Sequence, residues 1–240
     1  MNLQDHHVVI LGGTSGIGLA VAEAALGEGA KVTVGSSRQS TVDSGLERLP
    51  GAMGYVIDVR DDASVADFFK QAGALDHLVF TAGDWSGPRG NSLESLDIEA
   101  AKSLFEVRFW GALRTIRHAH RQIRGGGSVT LTDGMIAHSP SRGSFVSTAM
   151  AGAIEHLTRA LAVELQPVRV NCVCPGAIRT DVWNSIPEDK REERFRNMTG
   201  HLLIKRIGEP NETAEAYLYL MRGGYTTGQV LMVDGGSSVV

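Results

Sequence analysis

Cysteine, positive charge and long apolar runs are all scarce in this chain, and each shortage removes a class of function. Its 240 residues include two cysteines, Cys172 and Cys174, too few and too close together to staple a disulfide-built fold. Lying two apart in an apolar run, they point to the same face of a strand and read as small buried hydrophobes. Neither a metal nor a redox role is expected of them, and no metal site is expected elsewhere. Lysine and arginine number 23 against 27 acidic residues, the net charge is −4, and no basic block could track a phosphate backbone. Nucleic acid is not an expected partner. The apolar run from Val8 to Leu11 is too short for a membrane span or a signal core, and the leading Met-Asn-Leu-Gln-Asp-His-His carries no basic segment. The expectation is a cytoplasmic chain with no membrane partner.

What is present is an ordinary globular composition, 42% hydrophobic and 21% charged, with 29 glycines that suggest many tight turns. Short β-rich runs at 7–11, 31–35, 54–57, 77–81, 128–132, 168–173 and 229–233 alternate with helical stretches at 17–28, 63–72, 98–124, 144–165 and 212–222. The third helical stretch reads as two helices or one bent one. This alternation implies right-handed crossovers and a doubly wound, seven-stranded parallel sheet with helices on both faces, an α/β Rossmann fold in one domain over 1–240. Residues 183–206 break the rhythm with a polar stretch, Glu188-Asp-Lys-Arg-Glu-Glu-Arg194. It reads as a helical flap inserted in that domain, placed to cover a ligand or simply solvated.

The segment Val-Val-Ile-Leu runs straight into Gly12-Gly-Thr14-Ser15-Gly16-Ile17-Gly18 and then into Leu-Ala-Val-Ala-Glu. A strand, a glycine loop and a helix start stand in the order a dinucleotide site needs. The loop turns sharply, lets a pyrophosphate approach the backbone, and presents helix N-terminal N–H groups to it.

The spacing Gly-x-x-x-Gly-x-Gly resembles that of the short-chain dehydrogenase/reductase family, classical type, and further landmarks follow in family order along nearly the full length. Asp58-Val59 stands where the family contacts adenine, and Thr81-Ala82-Gly83 where it usually has Asn-Ala-Gly. Val170-Asn-Cys-Val-Cys-Pro175-Gly176 resembles the family's Val-Asn-x-Val-x-Pro-Gly, with Ile178 and Thr180 in the stretch that meets the nicotinamide end, and Asp234-Gly-Gly236 completes the pattern. An acidic residue at the end of the second strand would hold the ribose hydroxyl of NAD. Here stand Ser36, Ser37 and Arg38, whose guanidinium could fork onto a 2′-phosphate with help from Thr14 and Ser15, so NADP(H) is expected over NAD(H). The resemblance also implies a small-molecule substrate and a homodimer or homotetramer built on the helical stretches at 98–124 and 144–165.

Family members reduce a carbonyl with a tyrosine as proton donor, a lysine that lowers its pKa, a serine that holds the substrate oxygen and an asparagine in a proton relay. Registering the helix on Arg159-Ala-Leu-Ala-Val-Glu-Leu puts Val146 at the tyrosine and Met150 at the lysine position. Asp133 falls at the serine position, with Thr132 its neighbour one step back, and Arg108 in Val-Arg-Phe-Trp-Gly replaces the asparagine. Val146 and Met150, one turn apart, would form a dry patch where a relay is expected. For Asp133 and Arg108 two readings stand, an ion pair within the cleft or a rebuilt acid, base or substrate contact. His138, Ser139, Ser144, Ser147, Trp85, Trp183 and Met198 are further residues expected near the cleft or its flap. The functional expectation is an oxidoreductase with a non-standard site, reducing a carbonyl or enone, or else an inactive dinucleotide-binding sensor or partner subunit.

Overall fold

The structure is a computed structural model and describes residues 2–83 and 92–240. In chain order the elements are β1 His7–Leu11, α1 Gly16–Gly27, β2 Lys31–Ser36, α2 Gln39–Arg48, β3 Met53–Val56, α3 Asp62–Ala72 and β4 Leu75–Phe80. The second half continues with α4 Ile98–Phe105, α5 Ala112–Ala119, β5 Ile123–Thr132, α6 Phe145–Glu164, β6 Arg169–Pro175, α7 Glu188–Thr199, α8 Pro210–Arg222 and β7 Val230–Val233. All seven strands are parallel and form one sheet in the order β3-β2-β1-β4-β5-β6-β7. The order reverses between β1 and β4, and ligands of such sheets bind outside the strand carboxyl ends at that switch.

Alternation along the strands divides the core in two. Val9, Leu11, Leu78, Phe80, Val129, Leu131, Val170 and Cys172 pack with Phe68 and Phe69 of α3, Ala112 and Ile116 of α5, and Met150 and Ile154 of α6. Val8, Ile10, Val32, Val34, Val79 and Val173 turn the other way, toward Val21 and Ala25 of α1 and Ala214, Tyr217 and Leu218 of α8. Strands buried on both faces explain why β1 and β6 read as unbroken apolar runs.

Three differences from the sequence reading have local causes. Helix α2 escaped notice because its apolar content is low; it buries only Val42 and Gly45 and packs Gly45 onto Thr14 of the glycine loop. The stretch expected as two helices or one bent one is α4 and α5 joined by a π-helical turn, Glu106–Gly111, and it gives way to β5 at Ile123 rather than continuing to 124. Such π turns widen a helix locally and often occur at functional sites. Strand β5 begins five residues earlier than the expected 128, because Leu75 of β4 pairs with Ile123 before a register shift restores His77 opposite Ser128. Among the described residues no helix is long and apolar enough to cross a membrane.

Candidate active site

The carboxyl ends of β1, β4, β5 and β6 converge around the glycine loop. Gly12 has φ +84° and Gly16 φ +53°, a left-handed backbone that L side chains rarely adopt. Space is the second constraint. A Cβ at Gly12 would lie 2.7 Å from the Ala82 nitrogen, and one at Gly18 would lie 2.2 Å from the Gly12 carbonyl oxygen. Thr81 clamps the strand ends by donating its hydroxyl to the Leu11 carbonyl at 3.0 Å. Ser15 occupies the α1 N-cap with extended backbone and no side-chain hydrogen bond to the helix, so the first-turn N–H groups of Gly16, Ile17 and Gly18 carry no side-chain cap. Thr180 closes the opposite wall, its side chain about 3 Å from where a Gly16 Cβ would stand. A pyrophosphate is the kind of group such a backbone cradle fits, and the loop would be filled by any side chain larger than hydrogen.

The remaining expected contacts divide by environment. Ser37 and Arg38 are exposed beyond β2, and among the described residues no carboxylate stands within ion-pairing distance of Arg38. Asp58 is already engaged, taking Arg60 through Nε at 2.9 Å and a terminal nitrogen at 2.8 Å, and this fork holds its pKa below the ordinary value. Val59 is buried under Gly111, so only its backbone can face a ligand. Ala82 and Gly83 lie just beyond β4, Pro175 ends β6 with Gly176 next to it, and Ile178 is buried while its carbonyl accepts the Trp183 indole N–H at 2.8 Å.

The 183–206 segment is anchored. Phe195 of α7 is buried, with the Trp183 ring edge-on at 5.5 Å and the Arg179 guanidinium 4.8 Å above its ring. Arg179 also pairs with Glu192 at 2.6 Å and Glu209 at 3.2 Å, tying α7 to the base of α8. Met198 is half-buried on the same helix. Trp85 lies outside the described residues.

Of the two readings open for Arg108 and Asp133, the ion pair is not formed. The π turn sets the Arg108 guanidinium against Gly83, with one terminal nitrogen 2.9 Å from where a Gly83 Cβ would lie. Asp133, one residue past β5, is 3% exposed, and among the described residues no N–H or hydroxyl donates to either of its carboxyl oxygens. Around it stand Glu155 of α6, His138 of the following loop and Cys174 of β6, with one ligand-type atom of each of the four within 4.8 Å of the others. Burial, and then the hydrogen-bonding proximity of the Glu155 carboxyl, push the Asp133 pKa up to about 7. An ionised carboxylate in that place would be unpaired and desolvated, so the proton stays.

The ring Nε2 of His138 donates a hydrogen bond to Glu155 Oε1, and the other Glu155 oxygen lies 3.9 Å from Arg159. The sequence reading included His138 and overlooked Glu155 and Cys174. A signal existed: Ser147, Ala151 and Glu155 recur at i+4, and an acid at the buried end of such a row is unusual. The four groups have metal-ligand chemistry, which the expectation of no metal site did not foresee. Burial raises the Cys174 thiol pKa, as it does that of Asp133.

Positions expected to carry the dry patch resolve into two rows. Met150 and Ile154 of α6 are core residues packed among Ala112 and Leu131, so Met150 belongs to the core and only Val146, half-buried, remains at the helix start. The adjoining row Ser147, Ala151, Glu155 is the one that runs to Asp133. Neither row offers a tyrosine or a lysine, since the chain has none of either between residues 103 and 189. Tyr217 cannot substitute. It is fully buried, its hydroxyl bonds Thr132 Oγ1 at 2.7 Å, and burial drives its pKa upward. Thr132 in turn donates to the Phe80 carbonyl, so its hydroxyl faces away from the Asp133 group. Ser144 caps its own turn on Ser141, and Ser139 reaches the Ser237 carbonyl at 3.4 Å.

A parallel sheet with a glycine cradle at its switch point defines a Rossmann protein of the nucleotide-binding kind. Residues 12–238 match a family described as enoyl-(acyl carrier protein) reductase. A short-chain dehydrogenase/reductase of Stachybotrys chlorohalonatus, ATR9, is 33% identical over 98% of each chain. Among solved structures, a small-chain dehydrogenase in complex with NADPH is 33% identical with a TM-score of 0.85, over 99% of this chain and 100% of that one. The MalC reductase/Diels-Alderase of Malbranchea aurantiaca is 32% identical with a TM-score of 0.90, over 98% and 96%. This chain belongs to the short-chain dehydrogenase/reductase family.

Proposed function

We propose that this protein is an NADP(H)-dependent reductase of a carbonyl or conjugated alkene, in which Asp133 replaces the family's tyrosine as the proton donor. The observation that carries the reading is the Asp133 carboxyl itself, buried beside Glu155, its pKa pushed up to about 7 by that burial and by the neighbouring carboxyl. A general acid works best when its pKa lies near the working pH. The bound dinucleotide would supply the hydride.

In this reading Gly12, Gly16, Ile17 and Gly18 present backbone to the pyrophosphate, Thr14, Ser15, Ser37 and Arg38 take the 2′-phosphate end, and Asp58 and Val59 border the adenine. Ala82, Gly83, Pro175, Gly176, Ile178 and Thr180 hold the nicotinamide half. Arg108, resting on Gly83, places a positive charge beside the reacting oxygen, where it would stabilise developing negative charge. The anchored segment 183–206 would cover the substrate as a flap on a single domain. The NADPH in one solved relative supports the cofactor choice, as does the unpaired state of Arg38 among the described residues. Exposed Ile98, Trp110 and Phe145 on the α4–α5 and α6 surfaces support a homo-oligomer, which light scattering would test. A cytoplasmic location belongs to the same reading.

A second reading, an inactive dinucleotide-binding subunit, draws on the missing tyrosine and lysine and on the core position of Met150. Fluorescence titration with NADPH and NADH, followed by a carbonyl and enone panel read at the nicotinamide absorbance, separates the two. Tighter NADH binding would overturn the cofactor choice. Tight NADPH binding without turnover would favour the second reading, above all if activity appeared once tyrosine, lysine, serine and asparagine were restored.

A further inference from the structure

A buried proton donor must be recharged after each turnover, and the described residues offer one route. Asp133 is 3% exposed, and a carboxyl oxygen of Glu155 lies within 4.8 Å of one of its own. The side chain of Glu155 is 8% exposed and that of His138 33%, so the three groups form a graded passage from the interior to the surface. We propose that His138 and Glu155 are the proton inlet of this site, with Glu155 passing to Asp133 a proton that His138 collects from solvent. This rests on the reading of Asp133 as the donor.

The balance is simple. Asp133 gives its O–H proton to the substrate and is left as a carboxylate. The imidazolium of His138 releases its Nε2 proton to Glu155 Oε1, the acid so formed releases a proton to Asp133, and neutral His138 takes a new one from a water-borne acid. Each turnover therefore consumes one solvent proton, as reduction by a hydride requires. Among the described residues, the other groups facing this passage offer no competing route. Cys172 and Cys174 of β6 are buried, with thiol pKa values raised by burial; Arg159 lies on the far oxygen of Glu155; Tyr217 is sealed on the opposite face of the sheet; Arg108 lies on Gly83. A Glu155 that served packing alone would not be expected to carry a direct bond to an exposed titratable ring.

Two measurements test this. The first uses no substrate. At pH 5.5, where Asp133 holds its proton, the infrared carboxyl band that Asp133→Asn removes should shift into its deuterated form within the mixing time after transfer to deuterium oxide. In Glu155→Gln and His138→Phe the shift should slow at least tenfold, with thermal stability and NADPH affinity kept. The second compares the first turnover with later ones, using NADPH with cyclohexenone or para-nitrobenzaldehyde. His138→Ala should keep its first-turnover rate within about twofold and lose at least tenfold in steady state, and added imidazole should restore the loss by supplying a diffusible acid. Exchange as fast in the variants as in the native protein, or first and later turnovers lowered alike, overturns the inlet while leaving Asp133 as donor. Turnover indifferent to Asp133→Asn, or no turnover at all, overturns the donor reading and the inlet with it. Stoichiometric zinc uptake abolished by the same substitutions would reassign the cluster as a metal site and overturn the inlet.

Discussion

Replacing Asp133 by asparagine should make the protein more stable in alkali and hardly change it in acid. The side chain keeps its shape, so the substitution removes mainly the capacity to ionise. In the folded protein the carboxyl titrates at about 7 and in the unfolded chain at 3.8. The folded state therefore binds the proton more tightly, and the stability that this lends is complete below pH 3.8 and lost as the pH rises through 7. The interval of about 3 units corresponds to roughly 4 kcal/mol, an upper bound because a neighbouring carboxyl and local relaxation share the cost. Chemical unfolding at pH 4.5 and pH 8, compared between native protein and Asp133→Asn, isolates this term. The expected result is a gain of about 2–4 kcal/mol for the variant at pH 8 relative to its effect at pH 4.5. An effect equal at the two pH values would refute a buried, protonated Asp133.

Other outcomes follow from the same structure. His77 is buried between His6 and Ser128, and burial, then the His6 charge, lowers its pKa to about 4 from 6.5. Stability should fall by about 3 kcal/mol as the pH drops from 6.5 to 4 on this group's account, and His77→Gln should flatten that limb of a urea-unfolding series. Arg38→Ala should weaken NADPH binding by about 10- to 100-fold, the worth of a charge-assisted fork, and leave NADH affinity unchanged by fluorescence titration. Gly18→Ala pushes a methyl to 2.2 Å from the Gly12 carbonyl, so dinucleotide binding should be lost and the melting temperature lowered.

The sheet was legible because parallel strands buried on both faces write unbroken apolar runs, and all seven were found within a few residues of their ends. Helix α2 was illegible because it buries only Val42 and Gly45, and a glycine leaves no hydrophobic mark. The glycine loop could be read outright, since Gly12 and Gly18 have no room for another residue. The catalytic half was legible as an absence: no tyrosine or lysine between 103 and 189. Its content was not. Opposite charges at Arg108 and Asp133 suggested a pair, yet the π turn carries Arg108 onto Gly83 while β5 delivers Asp133 to Glu155. Which of two adjacent helical rows meets the cleft is a matter of about 100° of rotation, so Met150 and Ala151 could be told apart only by their packing.

Whether Asp133 donates the proton is decided by the rate of NADPH oxidation with an accepted carbonyl or enone, compared between native protein and Asp133→Asn at saturating cofactor. If it does, kcat falls by about 10²- to 10⁴-fold, the share that general acid catalysis supplies, with NADPH affinity unchanged. Undiminished turnover in Asp133→Asn would contradict it.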